Sequence, residues 1–124
     1  MRNIFTSVLI GIILFTSCER DKPELFEQEA KLKIENTSTS NNITGVYFGT
    51  VGPGETNKIS SNIKPGESKT FTINIKDDSV YDIKIISDMA GYETFTATHH
   101  SFFWNDTYII ELTNNGWYDD ESLK

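Results

Sequence analysis

This 124-residue sequence holds a single cysteine, Cys18. One thiol cannot close a disulfide within its own chain, so the fold must rest on packing alone. Cations are scarce: eleven Lys and Arg stand against eighteen Asp and Glu, a net charge of −7. That balance argues against nucleic acid as a partner, because phosphates demand clustered Lys and Arg. It argues equally against electrostatic docking on anionic lipid. The only histidines are His99 and His100. Neighbours on a strand point to opposite faces, so both cannot easily ligate one metal. A third ligand from Asp82 or Glu93 is demanded by no spacing, and no metal or cofactor is expected. Gly-x-Ser-x-Gly is absent, as is a calcium loop of alternating Asp and Asn around a Gly. Carboxylates cluster at Asp77-Asp78 and at Asp119-Asp120-Glu121. They fall on a predicted turn and a tail rather than across a cleft, as glycoside hydrolysis would need. No catalytic residue is assigned, and the protein is not expected to be an enzyme.

Long apolar runs are missing too. The longest extends from Ile4 to Phe15 and is densest from Val8 to Phe15. It falls short of the ~20 residues of a spanning helix. Met1-Arg2-Asn3 supplies a short basic start, and Thr16-Ser17 supplies small residues before Cys18. A basic start, an apolar centre and small residues before a break form a secretory signal. Phe15-Thr16-Ser17-Cys18 resembles the lipobox of bacterial lipoproteins, with Leu14 one place ahead of the usual leucine position. The looser form resembles lipoproteins of the Bacteroidetes. The resemblance implies a signal peptide over 1–17, cleavage before Cys18 and a diacylglycerol on its sulfur. An ordinary signal peptide with a chance cysteine, or an uncleaved anchor helix, would be the alternatives. Without Arg2 the ten remaining cations leave a net charge of −8, so the anchor must be hydrophobic. Each buried methylene contributes about 0.8 kcal/mol, and more than one acyl chain gives stable anchoring. The expected location is the cell envelope, on the outer membrane, with the side left open. Glu19 and Asp21, split by Arg20, match the acidic surface-export signal of such lipoproteins only in part.

Residues 18–30 form the lipidated N-terminus and a charged tether; fully extended, the stretch after Cys18 reaches about 40 Å. From Lys31 the hydrophobic period changes to two, with Leu32 and Ile34 against Lys31, Lys33 and Glu35. That alternation predicts a half-buried strand. It recurs over Ile43–Thr50, weakly over Lys58–Ile63, and then over Thr70–Lys76, Val80–Asp88, Tyr92–His99 and Thr107–Leu112. Pro53-Gly54 and Pro65-Gly66 meet the type II turn requirement, since Pro fixes φ and Gly permits a positive one. Met89-Ala90-Gly91 and Asn114-Asn115-Gly116 turn the chain, the latter sending Trp117-Tyr118 back toward the sheet. Seven short strands and no three-four apolar spacing predict an all-β fold, a single antiparallel β-sandwich over 31–118 with an acidic tail over 119–124. Asp77-x-Ser79-x-Tyr81-x-Ile83 resembles the tyrosine corner of immunoglobulin-like domains, where a Tyr hydroxyl bonds back to upstream backbone. The resemblance implies a fold and no function.

Two further stretches carry candidate sites. Phe102-Phe103-Trp104 cannot all enter one core face, because alternate side chains diverge. An exposed ring there favours a protein or a glycan partner. The competing expectation is that Phe102 and Trp104 cap the sandwich while Phe103 is partly covered. Asp78-Ser79-Val80 resembles the Asp-Ser/Thr-aliphatic acceptor for O-glycosylation of exported Bacteroidetes proteins, which makes Ser79 a candidate. The expected function is a lipid-anchored, non-catalytic interaction module. A structural envelope component or a small inhibitor of an exported enzyme is the alternative. A hydrolase would need polar residues converging in a pocket.

Overall fold

A computed structural model describes residues 28–76 and 78–120. The expected signal peptide over 1–17, Cys18, most of the expected tether, Asp77 and the end of the acidic tail lie outside the described residues. The described chain is all-β, with seven strands in two packed sheets. They are β1 (Glu29–Asn36), β2 (Ile43–Gly49), β3 (Ser68–Asn74), β4 (Val80–Ser87), β5 (Thr94–Ser101), β6 (Thr107–Thr113) and β7 (Gly116–Asp119). One sheet has the order β3-β1-β6-β7 and the other β2-β4-β5.

The period of two does what alternation must. Leu32 and Ile34 of β1, Ile73 of β3, and Ile110 and Leu112 of β6 point inward from the larger sheet. Ile43 and Val46 of β2 and Ile83 and Ile85 of β4 meet them from the smaller one. Each such side chain, fully buried, contributes about 1.5–3 kcal/mol. At the two flanks aromatic pairs join the sheets. Phe48 of β2 meets Phe71 of β3 edge-on at 5.4 Å, and Phe95 of β5 meets Trp117 of β7 at 5.7 Å. Trp117 also donates its Nε1–H to the Tyr92 carbonyl at 2.9 Å, tying the last hairpin to the β4–β5 turn.

The strand order is not the one that constant immunoglobulin domains use. β1 lies between β3 and β6, and its pairing with β6 is parallel, from Lys31↔Thr107 to Asn36↔Leu112. All other pairings are antiparallel. What the fold keeps of the expectation is the two-sheet architecture and one local device. Tyr81 donates its hydroxyl to the Asn74 carbonyl at 2.8 Å, pinning the β3–β4 connection as a tyrosine corner does.

Besides strand ends shifted by up to two residues, three departures from the sequence reading have a visible physical cause. Lys58–Ile63 is not a strand: among the described residues it makes one isolated bridge, Ile43↔Ile63. Ser60-Ser61-Asn62 leaves no apolar alternation to continue a ladder, and the exposed β2 edge is covered by other means. Asn57 accepts the Val46 N–H at 2.9 Å with its Oδ1, and Lys58 donates its N–H to the Val46 carbonyl at 2.7 Å. Covering an edge in this way removes a site of unwanted pairing. The seventh strand is instead β7, which runs one residue into the expected tail. At the start, β1 begins at Glu29, inside the expected tether, because Ala30 is buried against the core.

The turns follow the local chemistry. Gly66 has φ +87°, and the Glu67 N–H reaches the Lys64 carbonyl at 2.9 Å. Gly116 has φ +115°, and a Cβ there would stand 2.6 Å from the Tyr92 ring, so this hairpin needs its glycine for both backbone and space.

Candidate functional site

Register brings a particular set of segments to one end of the sandwich. β1 starts there, β3 and β5 finish there, and β4 and β6 start there. The Ile75 N–H donates to the Gln28 carbonyl at 2.7 Å, and the Asn105 N–H to the Glu29 carbonyl at 2.9 Å. The Lys31 N–H donates to the Asp106 carbonyl at 2.8 Å. The 102–106 loop is thus fastened to the point where the chain enters the sandwich. Asn105, at φ +62°, lets the loop turn back into β6.

The three aromatics of this loop have three destinations. Phe102 is 1% exposed. Its N–H donates to the Ser79 carbonyl at 2.8 Å, and its ring meets Tyr81 edge-on at 5.7 Å and His100 at 4.7 Å. Phe102 is a core residue, which removes it from the candidate binding surface. Phe103 is 69% and Trp104 54% exposed, so Trp104 does not cap the sandwich. Phe103 rims a cleft of about 430 Å³ on the open flank between β5 and the β6–β7 hairpin. Trp104 lines a different cleft, of about 400 Å³, with Glu29, Lys31 and Asn105.

The floor of the first cleft depends on a β-bulge. On β5 an extra residue stands between the pairs Ile83↔Ala97 and Tyr81↔His100. His99 takes the strain, at φ +57°, and donates its N–H to Asp82 Oδ1 at 2.8 Å. The same carboxylate accepts the Gly52 N–H at 3.0 Å through Oδ2. Without the extra residue, the alternation of Phe95 and Ala97 would carry His99 inward and His100 outward. The bulge reverses this, as bulges do when they re-aim side chains. His99 lies in solvent, and His100 stacks flat on Tyr108 at 3.7 Å with its ring 9° from parallel. His100 is therefore buried, although β5 is an edge strand of its sheet. The two histidines diverge, and among the described residues no three His, Cys, Asp or Glu gather into a set that could hold a metal.

The carboxylates here are engaged in the fold. Tyr108 donates its hydroxyl to Asp119, and Asp120 Oδ2 accepts the Ile109 N–H at 3.2 Å. Asp78 Oδ1 accepts the Val80 N–H two residues on, at 3.0 Å, which closes the turn that carries Ser79. Ser79 is half-buried beside Phe102. Tyr108 and Asp119 escaped sequence reasoning as parts of this region, while Asp82, weighed beside the histidines as a third metal ligand, accepts two backbone N–H groups instead. The one available signal was that His99-His100 interrupts the Phe95, Ala97 alternation.

With an all-β sandwich and an open aromatic end described, comparison with known proteins adds no relative: no family model, no curated protein and no solved structure matches the chain.

Proposed function

We propose that the protein is a lipid-anchored, non-catalytic interaction module of the cell envelope, held by Cys18 and meeting a protein or a glycan with the cleft that Phe103 rims. The observation that carries this reading is the exposure of the Phe103 ring beside the open flank, where Thr96, Thr98 and His99 of β5 line the same cleft. An exposed flat ring beside polar groups suits stacking on a sugar or anchoring in a protein pocket. The non-catalytic part is supported by Asp119 and Asp120, whose carboxylates are bonded to Tyr108 and to the Ile109 backbone. The anchor rests on the sequence of residues 1–18.

A photo-crosslinking residue in place of Phe103 tests the partner. Intact cells carrying it should yield defined adducts by mass spectrometry, while the same residue in place of Thr72, exposed on β3, yields none. Equal labelling from both positions would refute the cleft. Phe103→Ala should leave the melting temperature nearly unchanged, since exposed side chains away from special features shift stability by no more than about 0.5 kcal/mol. The anchor is tested separately: a Cys18→Ser protein should leave the membrane fraction.

A further inference from the structure

The described residues expose five large hydrophobic side chains, and they are unevenly distributed. Val51 (94%), Phe103 and Trp104 belong to the end where the chain enters the sandwich. Val51 is placed there by β2, which finishes at Gly49 opposite Asp82, and by the bond from Gly52 to that same Asp82. Tyr92 belongs to the β4–β5 turn at the opposite end, and Tyr118 to a sheet face. Phe103 is accounted for by the flank cleft. Trp104 and Val51 are not.

The chain outside the structure says what could cover them. Gln28, the first described residue, is bonded to Ile75, and the next residue, Glu29, is bonded to Asn105, the neighbour of Trp104. Only the residues between Cys18 and Gln28 separate this end from the expected acyl chains, a reach of at most about 35 Å. A bilayer to which Cys18 is bound is therefore presented to this end of the sandwich before any other. Trp favours the membrane–water interface, where its apolar ring meets acyl chains and its N–H meets headgroups. A contact too weak to hold a free domain becomes populated when a short tether raises the local concentration to the millimolar range.

We propose that Trp104, assisted by Val51, seats this end of the sandwich on the interface of the membrane that anchors the chain, while the Phe103 cleft stays open at the flank. The surface suits zwitterionic rather than anionic lipid. Lys31 and Lys76 are outweighed at this end by Glu29, Asp78, Asp106, Asp119 and Asp120, and like charge repels at short range. The proposal rests on the anchored reading, and it fixes an orientation that the anchor alone does not supply.

The test bypasses the cell's lipidation step. Protein from Cys18 onward is joined through its one thiol to a maleimide phospholipid in phosphatidylcholine vesicles whose acyl chains are brominated near the headgroup. The chain has two tryptophans, and Trp117 points to the opposite end through its bond with Tyr92. The tethered wild type should lose a large part of its tryptophan emission relative to the untethered protein, with a blue shift of the remainder. Trp104→Ala, which reports Trp117 alone, should show no tether-dependent loss. Adding phosphatidylglycerol should reduce the wild-type quenching. Equal quenching of wild type and Trp104→Ala would mean that the domain has no preferred orientation, and would overturn the proposal. Unquenched Trp104 would overturn it as well and would assign this face to a soluble partner. Neither outcome bears on the anchor, which fails only if Cys18→Ser stays in the membrane fraction of cells.

Discussion

The two ends of the sandwich solve opposite problems with different residues. The end at the β1–β2 connection is closed by polar side chains. Asn36 is 1% exposed, and its Nδ2 donates to the carbonyls of Asn41 and Ile63, both at 2.8 Å. Its Oδ1 accepts the Ser38 N–H at 3.1 Å and the Ser38 hydroxyl at 2.6 Å. Asn114 Oδ1 accepts the Thr39 N–H at 2.9 Å, which joins the β1–β2 loop to the β6–β7 hairpin. The other end is plugged by rings, with Phe102, His100, Tyr108 and Tyr81 in mutual contact. Beyond this plug Phe103 and Trp104 project into solvent. A polar network satisfied from within leaves little for a partner. An end closed by rings, with further rings left outside, has apolar surface still to cover.

The comparison can be broken first at Asn36. Asn36→Ala removes a side chain that serves two carbonyls, one N–H and one hydroxyl at once. Unsatisfied buried polar groups cost about 1–3 kcal/mol each, part of which rearrangement recovers. A loss near 3 kcal/mol is expected in denaturant unfolding, with Phe103 crosslinking unchanged in the protein that remains folded. A loss below about 1 kcal/mol would mean that water replaces the side chain and that the polar end is less tightly built than its geometry implies.

The ring-closed end should lose less to a single deletion. Tyr81→Phe keeps the ring contacts with Phe48 and Phe102 and removes only the hydroxyl that reaches Asn74. One hydrogen bond contributes about 1 kcal/mol net, less where it is open to water. Chemical unfolding should show a decrease of that size. A decrease as large as that of Asn36→Ala would place the keystone of the fold at the tyrosine corner and reverse the comparison.

How much of this was legible in the sequence follows from the range of each interaction. Alternation is local, so Leu32, Ile34, Ile73, Ile83, Ile85, Ile110 and Leu112 declared their faces without any structure. The Pro65-Gly66 turn is local as well, and Tyr81 announced its bond to upstream backbone through its place after the β3–β4 turn. Pairing is not local. Nothing in the alternation of β1 or β6 says that they run parallel side by side, because both neighbours of β1 are decided by cross-strand packing. The bulge at His99 is held by Asp82 on the facing strand, and the covered β2 edge is held by Asn57, whose short polar side chain substitutes for a strand. Within the site, the divergence of three successive aromatics was legible. Which of them enters the core was not, since that depends on where the Ser79 carbonyl meets the Phe102 N–H.

The smallest expected effect belongs again to the polar end, and its sign follows from the protonation states. Asp88 accepts the Asn42 N–H at 2.9 Å, the Asn41 amide at 3.1 Å and the Asn42 amide at 3.3 Å. The Asn42 backbone bond is foremost, with the Asn41 amide next, in holding its carboxyl below its ordinary pKa of 3.8. A carboxyl held low in the folded state contributes stability above the unfolded value, and the contribution fades as pH falls through the folded one. Wild type should therefore be more stable than Asp88→Ala near neutral pH, with the gap narrowing only below about pH 4. Asp88 is exposed, so solvent screens the interaction and the gap should be small beside those of Asn36 and Tyr81. Thermal unfolding of the two proteins in parallel across the acid range measures it. A gap near zero at every pH would show that the Asp88 backbone position, and not its carboxylate, ties the β4–β5 turn to the β1–β2 loop. The Asp88 N–H, which donates to the Asn42 carbonyl at 3.1 Å, would then be the group that matters.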